Sequence, residues 1–174
     1  MTSRSDSTPP DGPVLTAAAI RTGPDLAVWL AAGGGLGLRR ALAAPAGIIP
    51  TIEAAGLRGL GGAGFPTHRK WSAVAAQPAP ADGSGKWVVC NGNEDEPGTF
   101  KDRFLLSETP HQVIEGALIA ALAVGATHVA LYVNPRETRA VEALRAAVAA
   151  WQEAPLLAEL SAALGAPPAL GVVE

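Results

Sequence analysis

The sequence is short of several things. A single cysteine, Cys90, in 174 residues excludes an internal disulfide framework and any zinc site built from the chain's own thiols. A solitary thiol also suits a reducing compartment. Aromatic residues make up only 5%, so the core must be assembled from small side chains packed tightly, alanine above all. Charge is sparse as well, with 17% charged residues and a formal net charge of −3. That balance offers no basic surface for nucleic acid. No run of about 18 apolar residues escapes interruption by a charge, glycine or proline, so no direct membrane insertion is expected. The opening "MTSRSDSTPPDGPV" lacks the apolar stretch of a signal peptide. It reads as a disordered polar tail over 1–13.

What remains is a globular composition, 48% hydrophobic and long enough for one ordinary domain. A helical segment is expected over 14–55. Within it, "DLAVWLAAGGGLGLRRAL" suggests two short helices around a glycine hinge, and "IIPTIEAAG" a helix with Pro50 in its first turn and Gly56 at its end. From 56 to 174 the pattern changes. "HRKWSAVAA" is helix-compatible, "QPAPADGSG" is a surface loop, and "KWVVCN" is a short apolar strand with a polar end. A helix over Pro110–Val124 with Gly125 as its stop leads to the strand "THVALYVN". The amphipathic helix "RETRAVEALRAAVAAW", a helix over Leu156–Leu164 and the strand "PALGVVE" complete the order. Strands alternating with helices predict an α/β fold with right-handed crossovers and a parallel sheet.

Two loops carry chemistry. In "GLRGLGGAGFPTHRKW", Gly59, Gly61 and Gly64 satisfy G-x-G-x-x-G, the spacing that lets main chain approach a pyrophosphate. The ordinary dinucleotide reading fails on context, because the preceding segment is helical rather than a strand. The acid expected about 20 residues later is Asp82, which sits in a Pro/Gly loop. A glycine loop leading into a helix still offers N–H groups and a positive dipole end to an anion, with Lys70 able to add a charge. The alternative is a ligand-free connector between helices.

The second loop, "CNGNEDEPGTFKDR", places Asn91, Asn93, Glu94, Asp95 and Glu96 directly after a strand, where open α/β sheets hold their ligands. Amides can pair with the edge of a heteroaromatic ring. Carboxylates can hold ribose hydroxyls or repel a 2′-phosphate. The acids do not follow the alternating ligand pattern of a calcium loop, and a bland solvated turn is preferred to a metal site.

Together, "GLRGLGGAGFPTHRKW", "CNGNEDEPGTFKDR" and "PHQVIEGALIAALAVGA" resemble the FMN- and NADH-binding flavoprotein subunit of respiratory complex I, of the 51 kDa type. The family includes the diaphorase subunits of NAD-reducing hydrogenases and NAD-dependent formate dehydrogenases. The resemblance begins near Leu26 and covers only the N-terminal part of the family's length. It implies a Rossmann-like FMN-binding domain, incomplete at its C-terminal end, over 56–174. It also implies an NADH dehydrogenase/diaphorase-type oxidoreductase, inactive as a fragment alone, in which FMN takes a hydride from NADH and passes electrons singly to an iron–sulfur cluster. Cofactor contact is thereby implied for Gly59, Leu60, Gly61, Gly62, Ala63, Gly64 and Phe65, for Lys70 beside the flavin, and for Asn91, Asn93 and Glu94 around the isoalloxazine. Glu96 matches the glutamate beside the nicotinamide and is the residue assigned to the catalytic site; its charge would disfavour NADP. The hydride passes between stacked rings, so no protein acid or base is required.

The family continues with a second flavin-binding stretch, a ubiquitin-like domain and a four-cysteine bundle. The 4Fe-4S cluster is expected only there. The chain is therefore expected to be a gene fragment, a shortened polypeptide or a subunit completed by another. Its implied partners are NADH and the other subunits of an electron-transfer complex. The implied location is cytoplasmic, at the periphery of the inner membrane through those subunits. Three positions depart from the family, which usually has arginine at Leu60, aspartate at Asn93 and a bulky aromatic at Ala73. The departures bear on NADH affinity more than on flavin chemistry, and leave two alternatives: a cofactor-free structural homologue, or a subunit of an ion-pumping ferredoxin:NAD oxidoreductase. Elsewhere the plain readings are preferred. Trp71 is helix packing, Cys90 a small buried residue, His68 an exposed helix-start residue and His111 structural. His128 precedes a strand without a role, and Lys101, Asp102 and Arg103 form a local ion-paired turn.

Overall fold

Strands Trp87–Gly92 (β1), His128–Val133 (β2) and Ala169–Val173 (β3) form a parallel sheet in that order in the computed structural model, which describes residues 21–174. The tail expected over 1–13, and the first residues of the segment 14–55, lie outside the described residues. The register aligns Val88 with Val129 and Leu170, and Cys90 with Leu131 and Val172. Because alternate strand residues point to opposite faces, these side chains share one side of the sheet, where they join the hydrophobic core.

The crossovers supply the cover. Helix α6 (Pro110–Val124) packs on β1 and β2, and α7 (Thr138–Gln152) on β3. Gly125 adopts a left-handed φ of 69° at the end of α6, the conformation in which glycine has no Cβ penalty. Helix α8 (Pro155–Leu164) follows. The N-terminal part contributes α1 (Leu26–Ala31), α2 (Leu36–Ala43), a 3-10 turn at Pro45–Gly47, and α3 (Ile48–Ala54) before the glycine loop. Helix α4 (Thr67–Ala75) comes after it. Helices α2 and α4 lie against α6, and α1 against α7.

Three side chains explain how these layers hold together. Glu115 of α6 accepts from the Leu38 amide at 2.8 Å, so one helix caps the unsatisfied N-terminus of another. The Lys86 ammonium donates to the Val74, Ala75 and Val124 carbonyls at 2.9, 3.3 and 3.0 Å. It thus neutralises the C-terminal ends of α4 and α6 at once. In the core, Trp151 Nε1 donates to His111 Nδ1 at 3.1 Å, and the Trp29 ring stands 5.5 and 5.7 Å from those of His111 and Trp151. This trio joins α1, α6 and α7, so His111 is structural, as read from the sequence.

The ion-paired turn expected at Lys101, Asp102 and Arg103 is instead the start of a helix, α5 (Lys101–Glu108). Among the described residues the helices lie on one face of the sheet. On the other face Trp87, Val89, Tyr132 and Val173 are exposed, where a parallel sheet is ordinarily covered on both sides. His128 opens β2 rather than preceding it, and its ring stacks on Trp87 at 4.4 Å.

Candidate functional site

The site begins where β1 ends. Gly92 is buried in the sheet, and a Cβ there would stand 2.6 Å from Leu106 Cδ1 and 3.1 Å from the Tyr132 carbonyl oxygen. Only glycine lets α5 and β2 approach this strand end so closely. Beyond it the acidic loop is shaped by its own side chains. Asn91 Oδ1 accepts from the Asn93 amide at 3.0 Å, an Asx turn, and the Asn93 side chain bonds to Asp95. Glu96 closes the next turn by accepting, through its carbonyl, from Thr99 N at 3.2 Å and Thr99 Oγ1 at 2.9 Å.

Glu94 has a separate task. Its side chain is only 3% exposed, and its two carboxylate oxygens accept from the Asp102 and Arg103 amides at 3.1 and 3.3 Å. Those amides belong to the first turn of α5, so Glu94 satisfies two orphan donors at the positive end of the helix. Burial pushes its carboxyl upward. The Asp102, Arg103 and Thr99 hydrogen bonds and the Arg103 charge together outweigh that and leave it below the ordinary 4.5. The side chain assigned to the isoalloxazine thus holds the helix that walls the site.

The glycine loop is pinched at its base. Arg58 pairs with Pro66 as an antiparallel bridge, Gly59 N donates to the Phe65 carbonyl at 2.9 Å, and Thr67 N donates to Leu57 O at 3.0 Å. Arg58 Nη1 also donates to the Gly64 carbonyl at 3.1 Å. The tip between them turns through Gly62 and Gly64, whose φ values of 94° and 59° lie where other residues are strained. Gly61 is different. Its φ is not positive, and a Cβ on it would meet nothing within 4 Å. Neither the fold nor the turn requires glycine at that position.

The two loops face each other across a crevice of about 950 Å³, lined by Leu60 and Gly61 on one side and by Asn91, Asn93, Glu94, Asp95 and Glu96 on the other. Its volume falls at the upper end for small-molecule and cofactor sites. Leu60 stands 93% exposed at the crevice, where a charge would have been available to an anion. Of the residues expected at the site, these six of the loops (Leu60, Gly61, Asn91, Asn93, Glu94 and Glu96) are brought together. Gly59, Gly62, Ala63, Gly64, Phe65 and Lys70 fall outside the lining. The Gly59 amide serves the loop's own closure, and Lys70 is exposed on α4. Trp71 on the same helix packs at the edge of the core. His68 is half-buried rather than exposed, its Nε2 3.5 Å from Glu53 of α3.

Sequence reasoning missed the third wall, which includes Arg21, Phe100, Lys101, Asp102 and Phe104. Arg21 lies over the Phe104 ring at 5.0 Å, a cation–π distance. The signal for α5 was present in the Phe100/Phe104 pair at i, i+4, but its apolar residues run on as Phe104, Leu105 and Leu106 without a periodic face. Among the described residues, no three His, Cys, Asp or Glu side chains form a group able to hold a metal ion, and no helix is long and apolar enough to cross a membrane.

The chain is similar to known proteins. The family model described as the Nuo51 FMN-binding domain matches residues 52–166. The chain is 47% identical over 110 residues to an NADH-quinone oxidoreductase subunit of Rhodobacter capsulatus, covering 63% of this chain and 25% of that one. With an NADH-quinone oxidoreductase subunit of Rhizobium meliloti (strain 1021) the identity is 41% over 126 residues, or 71% and 29% of the two chains. Among solved structures, NAD+-reducing [NiFe]-hydrogenase in the H2-reduced state is similar with a TM-score of 0.64 and 33% identity, over 79% of this chain and 22% of that one. The chain therefore spans about a quarter of the length of these relatives.

Proposed function

This chain belongs to the Nuo51 FMN-binding domain family, and we propose on that premise that its crevice holds FMN and the nicotinamide end of NAD(H), as part of an NADH-oxidising flavoprotein subunit. The observation that carries the proposal is Gly61. It presents bare main chain to an open crevice although neither local conformation nor internal packing calls for glycine. A ligand lying flush against the peptide supplies the missing reason.

The opposite wall fits the same group. Asn91 and Asn93 line the crevice, and a side-chain amide can supply both a donor and an acceptor to a flavin edge. Asp95 and Glu96 supply negative charge, suited to ribose hydroxyls and hostile to an added phosphate. When bound, FMN supplies hydride acceptance and single-electron release; the chain's residues bind, orient and shield it. Glu96 is the residue proposed beside the nicotinamide. Gly59, Gly62, Ala63, Gly64, Phe65 and Lys70 stay in the proposal as the loop and helix start behind the lining. Onward electron transfer to iron–sulfur clusters, docking with other subunits of an electron-transfer complex and a place at the membrane periphery are part of the same proposal.

One observation favours a second reading. An exposed Leu60 at the crevice leaves that wall without a charge for a phosphate, as in a cofactor-free homologue. Titration of the full chain with FMN, followed by flavin fluorescence, separates the two. Saturable quenching is expected, with bleaching of the bound flavin by NADH that Glu96→Gln weakens. A correctly folded chain, joined to the remainder of its subunit and still indifferent to FMN, would sink the flavoprotein reading.

A further inference from the structure

One guanidinium fastens the acidic wall of the crevice to the rest of the fold. Arg103 is the third residue of α5, and its nitrogens reach three segments. Nη2 donates to the Thr99 carbonyl at 2.9 Å, Nη1 donates to Glu137 Oε1 at 3.3 Å, and Nε lies 3.6 Å from Glu94 Oε2. The Arg103 backbone amide donates to that same Glu94 oxygen. Glu94 and Thr99 are the two ends of the acidic loop. Glu137 is the residue that precedes α7, beyond the end of β2. The loop is thus bracketed at both ends and tied to the neighbouring strand's carboxyl side.

Geometry matters here more than charge. The Arg103 side chain is 48% exposed, so plain ionic attraction contributes little. A planar fork of fixed donors can serve three acceptors in three directions, which a lysine ammonium on a flexible stem cannot reproduce. Phe104, the next residue after Arg103, and Phe100, three residues before it, line the crevice themselves. Any slackening of this anchor is therefore felt at the wall.

We propose that Arg103 is a positioning residue: it holds the loop from Glu94 to Thr99 so that Asp95 and Glu96 stand in fixed places opposite Gly61 before a nucleotide arrives. Its role in binding rests on the nucleotide reading given above. An ordered wall lowers the cost of immobilising the loop on binding. Arg103 touches no reacting atom and acts only through the loop.

The test is amide hydrogen exchange on the full chain, wild type against Arg103→Gln and Arg103→Lys, with FMN titration alongside. Both variants are expected to exchange about tenfold faster at residues 95–99, the change that 1.4 kcal/mol produces, while β2 and α6 keep their protection. The FMN dissociation constant should rise by a similar factor, with Arg103→Lys no better than Arg103→Gln. Unchanged loop exchange, loosening spread through the core, or rescue by lysine would each overturn the proposal. If Arg103→Gln does not fold, Glu137→Gln removes the outer anchor alone; faster exchange confined to the loop supports the assignment and unchanged exchange refutes it. Should the wild-type chain, joined to the remainder of its subunit, bind no FMN, the nucleotide reading fails, and loop exchange still decides whether Arg103 holds the loop.

Discussion

Gly61 and Gly62 are neighbours with the same side chain and different reasons for it. At Gly62 the backbone sits at φ 94°, so Gly62→Ala should cost about 1 kcal/mol through strain, measured as a lowered denaturant midpoint. At Gly61 the backbone is ordinary and the space is open. Gly61→Ala should therefore leave the midpoint unchanged while weakening FMN binding about tenfold, the effect of roughly 1.4 kcal/mol of lost approach. Equal affinity in Gly61→Ala and wild type would remove the main support for a ligand against this peptide. The sequence displayed the glycine spacing but could not rank its members, because φ and free space are properties of the folded turn. Glu94 makes the same point from the acidic side. Its place in the loop was legible, whereas its attachment to the Asp102 and Arg103 amides required knowing that a helix starts there.

Among the elements, boundaries marked by glycine and proline were legible and the weakly patterned helix was not. Helix α6 runs from Pro110 to Val124 as its punctuation foretold, since proline is at home in a first turn and glycine just past an end. Helix α5 lacks such marks and takes its cap from a residue eight positions earlier. Lys86 is a comparable case, because nothing in "GSGKWVV" announces that its ammonium will meet the ends of two helices. Lys86→Met keeps the stem and removes the charge-assisted bonds to Val74, Ala75 and Val124. The expected cost is about 2 kcal/mol, in the range for hydrogen bonds to charged groups. Hydrogen exchange should show faster opening in the last turns of α4 and α6, with β1 to β3 unaffected.

Across the whole molecule, the aromatic trio makes stability depend on pH. Burial is the largest influence on His111 and lowers its pKa below 6.5, with the Pro24 backbone and Asp25 opposing. Its Nδ1 accepts from Trp151, which requires that nitrogen to be unprotonated and so fits a neutral ring. The unfolded chain binds this proton more readily than the folded one. Stability from His111 is therefore fully present above 6.5 and declines as pH falls from there toward the folded value. The melting temperature should drop through that window in wild type, and His111→Phe should flatten the drop even if it melts lower overall. A parallel decline in both proteins would assign the effect elsewhere. At the same scale, the open sheet face bearing Trp87 and Val89 shows how far the described fold departs from a sheet covered on both sides.

The amino-acid order by itself determined the alternation of strands and helices, the parallel sheet and the two loops that carry chemistry. These rest on local causes: apolar periodicity, glycine and proline punctuation, and short polar clusters at strand ends. Only the tertiary structure decided that Gly61, rather than Gly59, Gly62 or Gly64, meets the crevice, that Glu94 caps α5, and that Arg103 ties the acidic loop to α7. Those contacts join residues from 8 to 34 positions apart, or depend on free space around a single backbone atom. A linear pattern does not encode such distances; they follow once the sheet brings the carboxyl ends of β1 and β2 side by side.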